Sequence, residues 1–232
     1  MNDLPLLFAE SVAQLFDYDS IFSLKDSRSS LFGKVGRSLW EKQLKITLNV
    51  FYNLPTGTFD YCLTCTRKYG SFWSATPYTF NPPDYRSVCK FKVNLLKGKS
   101  SLYFMDVDVT WTTATPSDPT FLKLLGAQFA RTELYLKGIY PRFLNLLPAY
   151  CTFNYICECG EFDHSEVLDA IIQRSQACRR LERVHCVEIF KKRGMEASIE
   201  WIATNKRLKW ISGICITKPE SVRSALSRLG VQ

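Results

Sequence analysis

Four short apolar segments in the second half of the chain, each beside a helix-like stretch, constrain its fold most. Their centres, Leu134, Tyr155, Val184 and Ile211, are separated by 21, 29 and 27 residues. This spacing lies at or just beyond the range in which one strand and one helix form a repeat that stacks into a curved solenoid. A solenoid offers a long surface and needs no active-site cleft. The pattern therefore predicts binding rather than catalysis, unless a catalytic cluster lies elsewhere.

The stretches beside these segments predict helices, because several begin with a residue that caps a helix. Asp118 precedes Pro119, the order expected at a first helical turn. Asp163 stands three residues before Glu166, which resembles a capping box. Helix and strand should alternate about four times, with parallel strands on the concave side. We predict strands at 132–136, 153–157, 181–187 and 208–214, and helices beginning near 118, 141, 163, 195 and 217.

Residues 44–115 predict a separate β-rich block. Apolar and polar side chains alternate over 45–52, as in a half-buried strand, and 59–66 forms a weaker one. Two further apolar segments, 88–96 and 102–111, flank a Lys-Gly-Lys-Ser turn and predict a hairpin. This block would join the two halves of the chain or cap the first edge of the solenoid.

The first 43 residues predict three short helices. Apolar residues at the i, i+4, i+7 and i+8 positions form an amphipathic face that begins at Phe8. A second apolar cluster follows at Ile21, and a third stretch has apolar residues at four-residue steps from Leu31. Helices in so short a segment bury little apolar surface by themselves. They therefore need a partner, either the rest of the chain or another protein.

The positive charge of the chain is unevenly placed. The net charge is +8, and the segment from Arg174 onward alone holds 13 Lys or Arg against 5 Asp or Glu. The rest of the chain is therefore neutral. A surface for nucleic acid or an acidic partner is one interpretation of this basic end. The alternative is that the charges are solvated loops and helix ends, such as 191–193 and 206–207.

Cysteine usage and hydropathy predict a protein of the cytoplasm or nucleus. The nine cysteines are odd in number, and several lie inside or beside predicted strands, where cysteine behaves as a small apolar residue. Such usage is typical of reduced core thiols. No apolar run approaches the roughly 18 residues of a membrane-spanning helix, and the first residues lack the basic start of a signal peptide. We therefore expect no contact with a membrane.

Two patterns that could carry chemistry have simpler interpretations. The Gly-Lys-Ser segment at 98–100 resembles the end of a phosphate-binding loop, but Val93 stands where that loop needs glycine. Asp106 and Asp108 would share one face of a strand, as paired catalytic or metal-binding carboxylates could. The apolar residues that alternate with them make that face the solvated side of the strand. Neither pattern predicts an active site.

The cysteines and histidines do not form a recognisable site either. Cys62 and Cys65 have the spacing of a zinc-binding pair, but no second pair of that spacing occurs. Cys157 with Cys159 is too tight for the second half of such a site, and both histidines stand alone. A redox pair would need a helix N-terminus, whereas Cys62 is predicted to be in mid-strand. We predict core thiols, no metal, no cofactor and no catalytic residue.

The N-terminal segment resembles a diverged F-box. That module begins with Leu-Pro, continues with an apolar helix face, passes a second apolar cluster and ends near Leu-Trp. The resemblance covers residues 4 to about 43. A β-rich linker and degenerate leucine-rich-type repeats follow, so the whole chain is similar to the nematode-expanded sets of short F-box-like proteins. The matching positions are Leu4, Pro5, Val12, Leu15, Phe16, Ile21, Leu24, Leu39 and Trp40.

The resemblance implies substrate selection for a cullin-RING ubiquitin ligase. The F-box-like helices would dock on a Skp-type adaptor, and the repeats would hold an unknown protein target. An amphipathic module without a core of its own can bury its apolar face in a partner's groove. The alternative is that the same residues pack on the chain's own β-rich block as a cap. The residues implied in the adaptor contact are Leu4, Pro5, Val12, Leu15, Ile21, Leu24 and Trp40.

We therefore expect an α/β or α+β chain in three parts. These are an F-box-like helical module at 1–43, the β-rich block at 44–115 and an α/β leucine-rich-repeat-like solenoid at 116–232. The expected function is that of a non-catalytic ligase adaptor. A repeat scaffold without a ligase connection, and a nucleic-acid-associated protein using the basic C-terminal third, are the alternatives. The target-binding residues expected at the basic end are Arg180, Lys191, Lys192, Arg193 and Arg207.

Overall fold

A computed structural model describes most of the chain as a mixed α/β fold built on one sheet. No helix among the described residues has the length and apolar character needed to cross a membrane. The described residues are 23–26, 30–42, 44–69, 72–79, 88–99, 109–129, 131–137, 141–158, 166–211, 214–216 and 219–232.

Helices and strands alternate through the second half of the chain. Helix α1 (Ser30–Lys42) precedes strands β1 (Leu44–Asn53), β2 (Thr58–Tyr69), β3 (Phe72–Pro77) and β4 (Val88–Leu96). Then follow β5 (Thr112–Ala114), α2 (Pro119–Leu125), β6 (Thr132–Leu136), α3 (Pro141–Leu146), β7 (Tyr155–Glu158) and α4 (Glu166–Ala177). The last third holds β8 (Arg183–His185), α5 (Val187–Arg193), α6 (Met195–Thr204), β9 (Trp210–Ile211), β10 (Ile214–Cys215) and α7 (Pro219–Arg228).

The inner strands of the sheet follow one another in chain order. The order across the sheet is β10-β9-β8-β7-β6-β4-β1-β2-β3, and β5 pairs with β2. Strands β1, β4, β6, β7, β8 and β9 are parallel, whereas antiparallel strands lie at the two ends. Crossovers between parallel strands are right-handed, and here each one steps in the same direction. The helices in these crossovers therefore lie on one face of the sheet.

One hydrophobic cluster fills the space between the sheet and these helices. The strands contribute every second residue, and these side chains are almost fully buried. Because alternate strand residues point to opposite faces, the residues between them lie on the side opposite the helices of this cluster. Strand residues of the cluster include Val93, Leu134, Ile156, Val184 and Ile211, and the helices add Phe121, Phe143, Ile171, Phe190 and Leu226.

The predicted N-cap of α2 is confirmed. Asp118 Oδ1 accepts hydrogen bonds from the backbone N–H groups of Thr120 at 2.8 Å and Phe121 at 2.9 Å. Pro119 occupies the first turn, where its missing N–H is no loss. The cap fixes where the helix begins, and Phe121 and Leu125 are thereby buried against the sheet.

The strand bounds agree with the sequence at three of the strands. Strands β4 and β6 have the predicted bounds, and β1 extends the predicted strand by one residue at each end. Strand β8 covers only 183–185, because the chain turns directly into α5, where we expected strand to 187 and a loop at 191–193. Gly194, with a φ of 75°, ends α5 and separates it from α6. Two short helices thus stand where one was expected.

The predicted hairpin of 88–96 with 102–111 is not how β4 is paired. Strand β4 lies parallel to β1 along one edge and parallel to β6 along the other. Over residues 91–95, each edge of β4 is therefore already paired with a neighbouring strand. Of the expected second strand, only 109–111 lie among the described residues, and they are not in a strand.

The short segment 23–26 packs closely on α1 at Gly36. A Cβ at Gly36 would lie 2.6 Å from the backbone nitrogen of Lys25 and 2.8 Å from the carbonyl carbon of Leu24. Leu24 also packs against Val35, which is almost fully buried. Any side chain larger than hydrogen at Gly36 would push the segment away from α1.

Candidate binding surface

The side of the sheet opposite the helices α2 to α7 carries a continuous row of polar and aromatic side chains. Adjacent strands are about 4.8 Å apart, so a row over five strands extends about 19 Å. All members except one are half-buried and thus partly accessible to solvent. The row, here called the central row, consists of Lys92, Glu133, Tyr155, Arg183 and Trp210, each aligned with the next on neighbouring strands.

The one carboxylate of the central row has its partners within the chain. Glu133 is 1% exposed, with Oε2 2.6 Å from Lys90 Nζ and Oε1 3.0 Å from Arg131 Nε. The Tyr135 hydroxyl donates a third bond to Oε2 at 3.2 Å. A buried carboxylate needs such partners, because losing one would leave an uncompensated charge. Glu133 therefore fixes its neighbours in place and presents no free carboxylate.

Aromatic rings lie against the two other charged residues of the central row. Lys92 Nζ is 3.6 Å from the centre of the Tyr135 ring, which meets the Tyr155 ring edge-on at 5.1 Å. The Arg183 guanidinium lies 5.5 Å from the centre of the Trp210 ring. Contacts between a cation and a ring position the cation without cancelling its charge. The surface thus combines rigid aromatic area with positive charge.

The pKa shifts at the Lys92 end of the central row follow from burial and from neighbouring charges. Burial lowers the pKa of Lys92, and the neighbouring charges of Lys137 and Lys90 lower it further, while Glu133 acts in the opposite direction. Burial and then the nearby Glu133 raise the pKa of Tyr135 far above its usual value. Tyr135 therefore remains a neutral hydrogen-bond donor across the physiological pH range.

Towards β2, the same face of the sheet is covered by the chain itself. Cys62 and Leu96 form a small cluster that packs against Trp111. The ammonium group of Lys99 reaches the Asp60 carboxylate at 2.8 Å. Among the described residues, the accessible part of this face therefore runs from β4 to β9, which is the extent of the central row.

Arg180, which we expected to bind a target, is half-buried and bonded within the chain. Its guanidinium donates to the backbone oxygen of Phe129 and to the side chains of Gln128, Thr152 and Asn154, the last three at 3.1 to 3.2 Å. These acceptors lie in the loops that precede β6 and β7, while Arg180 itself precedes β8. One side chain thus connects three successive loops.

The other expected target-binding residues also lie away from the central row. Lys191 and Arg193 end α5, and each has a carboxylate of the chain nearby, at 3.0 and 3.7 Å. Lys192 and Arg207 are exposed, the first on α5 and the second in the turn before β9. The structure does not bring these four residues together into one surface.

Few of the residues implied in the adaptor contact belong to the described part of the chain. Leu24 is half-buried against α1. Trp40 falls within α1, but its side chain is outside the described part. The remaining positions, Leu4, Pro5, Val12, Leu15 and Ile21, lie outside the described residues.

The cysteine pair at 62 and 65 does not form a site. Both side chains are buried, but their odd spacing in β2 places them on opposite faces, with Cys65 in the main core and Cys62 outside it. Burial raises the pKa of the Cys62 thiol to about 11, so the thiol stays protonated. No group of three possible metal ligands occurs in the described ranges. Cys159, Asp106 and Asp108 lie outside those ranges.

Sequence reasoning did not single out Glu158, a buried carboxyl at the end of β7. It is 6% exposed and lies on the helix side of the sheet. Burial raises its pKa to about 7, nearby Glu188 adds to the rise, and a hydrogen bond with Cys186 opposes it. Its Oε2 has no hydrogen-bond partner in the part of the chain that the structure describes. A glutamate that ends an apolar strand gives no sequence signal of such burial.

Comparison with protein-family models, curated proteins and solved structures finds no match to this chain. The function has to be inferred from the surface itself. The sequence predicted the strands that carry the central row but not the row, because the alignment of Lys92 with Trp210 through three other strands depends on register and not on local pattern.

Proposed function

We propose that this protein is a non-catalytic protein-binding adaptor and that the central row holds its target. The supporting observation is the one-sided cover of the sheet: helices bury one face, whereas the other presents Tyr155, Arg183 and Trp210. Arginine and aromatic residues in partly buried settings are typical of the positions that contribute most to affinity between proteins. Because they stand on strands, little ordering is needed when a partner binds.

In this proposal, the parallel part of the chain is a short solenoid of degenerate leucine-rich-type repeats. From β4 onward, each parallel strand lies beside its predecessor, with helices in the crossovers, which supports it. Asn154 adds support, because its side chain accepts from the Thr132 N–H at 2.9 Å and donates to the Arg180 carbonyl at 3.3 Å. Such links between neighbouring units are what stabilises a solenoid.

The F-box-like N-terminus would connect the chain to a Skp-type adaptor and through it to a cullin-RING ligase. The resemblance of residues 4 to 43 supports this connection. An amphipathic helical module of about forty residues is suited to burying its apolar face in a partner's groove.

A pull-down with a purified Skp-type adaptor tests the proposal. We expect wild type to bind and a Leu15→Asp, Trp40→Ala double variant to lose binding. An Arg183→Gln, Trp210→Ala double variant should still bind, because it alters only the target surface. All three proteins need matching circular dichroism spectra. A well-folded wild type that does not bind would remove the ligase connection and leave a repeat scaffold.

A second candidate function, nucleic-acid binding, is favoured by the placement of some basic side chains. Arg179 precedes β8, and Lys206 and Arg207 precede β9, so all three lie at the same end of two adjacent strands. They are exposed, and Arg207 donates to the Arg179 carbonyl at 2.8 Å. Binding of this kind predicts retention on a polyanion column that weakens steeply with salt and is reduced by Lys206→Gln with Arg207→Gln. Retention unaffected by both changes would count against it.

A further inference from the structure

Two cations of the central row make no ion pair with the described residues. Lys92 Nζ faces the Tyr135 ring, and the Arg183 guanidinium lies beside Trp210. Arg183 Nε is buried and has no hydrogen-bond partner in the described ranges. A buried donor without an acceptor destabilises the free protein. Neither cation therefore has a counter-charge of its own among the described residues, and an incoming anion would supply one.

The charge of this face also favours an anion. Lys90, Lys92 and Lys137 lie close enough for the charges of the other two to lower the pKa of Lys92. Glu133 is the only carboxylate of the central row, and two cations of the chain already bind it. The accessible surface therefore carries positive charge that no carboxylate among the described residues cancels.

The distance between the two cations sets the spacing of their ligands. Lys92 on β4 and Arg183 on β8 are three strand steps apart, or about 14 Å at 4.8 Å per step. An extended peptide advances about 3.4 Å per residue, so residues about four apart span the same distance and point to the same side. Tyr155 lies between the two cations, where it can receive an apolar side chain.

We propose that the central row binds an extended acidic peptide segment of the target, with one acidic side chain at Lys92 and a second, about four residues away, at Arg183. The inference rests on the proposed function as a protein-binding adaptor. A carboxylate or a phosphate can supply either acidic group, because arginine donates paired hydrogen bonds to both. The side chain midway between these two acidic residues packs against the Tyr155 ring.

Single-stranded nucleic acid fits the row less well. Its phosphates recur at every nucleotide, so a strand lying along the row would place some of them between Lys92 and Arg183, where the row holds the paired Glu133 and the neutral Tyr155. A peptide places its acidic groups at the two cations alone.

Selection of peptides on the full chain tests the proposal. The immobilised protein is exposed to a display library of random peptides of about twelve residues, long enough to cross the row. We expect enrichment of sequences with two acidic residues four positions apart, since residues three or five apart would point to opposite sides. Enrichment of other patterns, or the same enrichment on a Lys92→Gln, Arg183→Gln double variant, would overturn the proposal.

Affinities measured by fluorescence anisotropy sharpen the test. With the most enriched peptide, Lys92→Gln and Arg183→Gln should each weaken binding about tenfold, the loss of one charge-assisted bond. Lys192→Gln, an exposed lysine on α5, should change nothing. A phosphoserine version of the peptide distinguishes phosphate from carboxylate as the preferred group. Tighter binding of a labelled oligouridine than of the peptide would overturn the proposal in favour of nucleic acid.

The adaptor pull-down separates this inference from the proposed function. A protein that binds the Skp-type adaptor but enriches no acidic peptide overturns the inference alone. A protein that binds acidic peptides but no adaptor supports the inference and removes only the ligase connection. Arg183→Lys keeps the charge but loses Nε, so weaker peptide binding by this folded variant supports the assigned contact.

Discussion

Arg180 shows how a single side chain can hold distant loops together. Its acceptors are 26 to 52 residues away in the chain and include a backbone carbonyl that a buried loop must satisfy. Burial lowers the pKa of Arg180, yet a guanidinium remains charged at any ordinary pH. The guanidinium therefore keeps its hydrogen-bond donors at any ordinary pH.

Removing that guanidinium should destabilise the fold. Arg180→Ala removes four part-buried hydrogen bonds that link three loops, and we expect a loss of about 2–3 kcal/mol in the free energy of unfolding. Arg207→Ala removes a single exposed bond and should cost at most about 0.5 kcal/mol. Urea unfolding of both variants beside wild type measures the difference. Equal losses would contradict the role assigned to Arg180.

Glu158 should make stability depend on pH. Its pKa rises from 4.5 in the unfolded chain to about 7 in the folded one, so the folded state holds the proton more tightly. Stability should therefore fall as pH rises from about 4.5 to about 7, by on the order of 2–3 kcal/mol from this group. Glu158→Gln should remove that part of the dependence and be the more stable protein at pH 8.

Glu166→Gln, at an exposed position of α4, is the control for this measurement. It should leave the pH profile of urea unfolding as in wild type. A wild-type profile that is flat between pH 5 and about 7, or a Glu158→Gln profile with the same slope as wild type, would refute the buried-carboxyl explanation.

The central row shows which parts of the site could be predicted from the sequence. Its strands were predictable, because alternation of apolar residues is a local signal. Its membership was not, because Lys92 and Trp210 meet through registers that link five separate strands. The expected target residues were chosen for their charge alone, and charge does not tell whether a side chain such as Arg180 is bonded inside the fold.

At the scale of elements, the cap of α2 was a clear local signal. Asp118→Ala should reduce stability by about 1 kcal/mol, because two N–H groups of the first turn of α2 lose their acceptor. Asp118→Asn should retain nearly all of the wild-type stability, since asparagine caps a helix as well as aspartate does. Thermal unfolding followed by circular dichroism compares the two. A larger loss for asparagine than for alanine would refute the cap.

The contact of segment 23–26 with α1 can be tested at Gly36. Alanine favours helix over glycine, so Gly36→Ala alone should strengthen α1. We nevertheless expect it to displace Leu24 and Lys25, because the new Cβ would lie within 3 Å of their backbone atoms. Cleavage after Lys25 by trypsin should become faster than in wild type. The matched control is Lys34→Ala, at an exposed position of α1, which should leave that rate unchanged.

Local patterns predicted some elements well and others poorly. Strand β4 and strand β6 are bounded by clear changes in polarity, and the sequence placed them correctly. Helix α5 was missed because Cys186 and Val187 continue an apolar strand pattern up to the first helical turn. Only the packing of Ile189 and Phe190 into the core decides whether the chain continues as a strand or turns into a helix here.

At the scale of the whole molecule, one hydrophobic cluster joins β1 to α7. Elements that share a continuous core lose their packing together, so we expect a single unfolding transition. Far-ultraviolet circular dichroism and tryptophan fluorescence should give coincident curves in urea. Two separated transitions would instead show that the β-rich block and the parallel strands unfold as independent units.

The chain order of the sheet has a consequence for how such a protein changes over generations. A unit inserted between β9 and the edge strand β10 would contact only these two strands of the sheet, so duplication there lengthens the surface without disturbing what precedes it. Loss of a unit between β6 and β8 is different, because Arg180 and Asn154 reach across it to the loops on either side. Selection should therefore tolerate variation in repeat number at the C-terminal end and resist it in the middle.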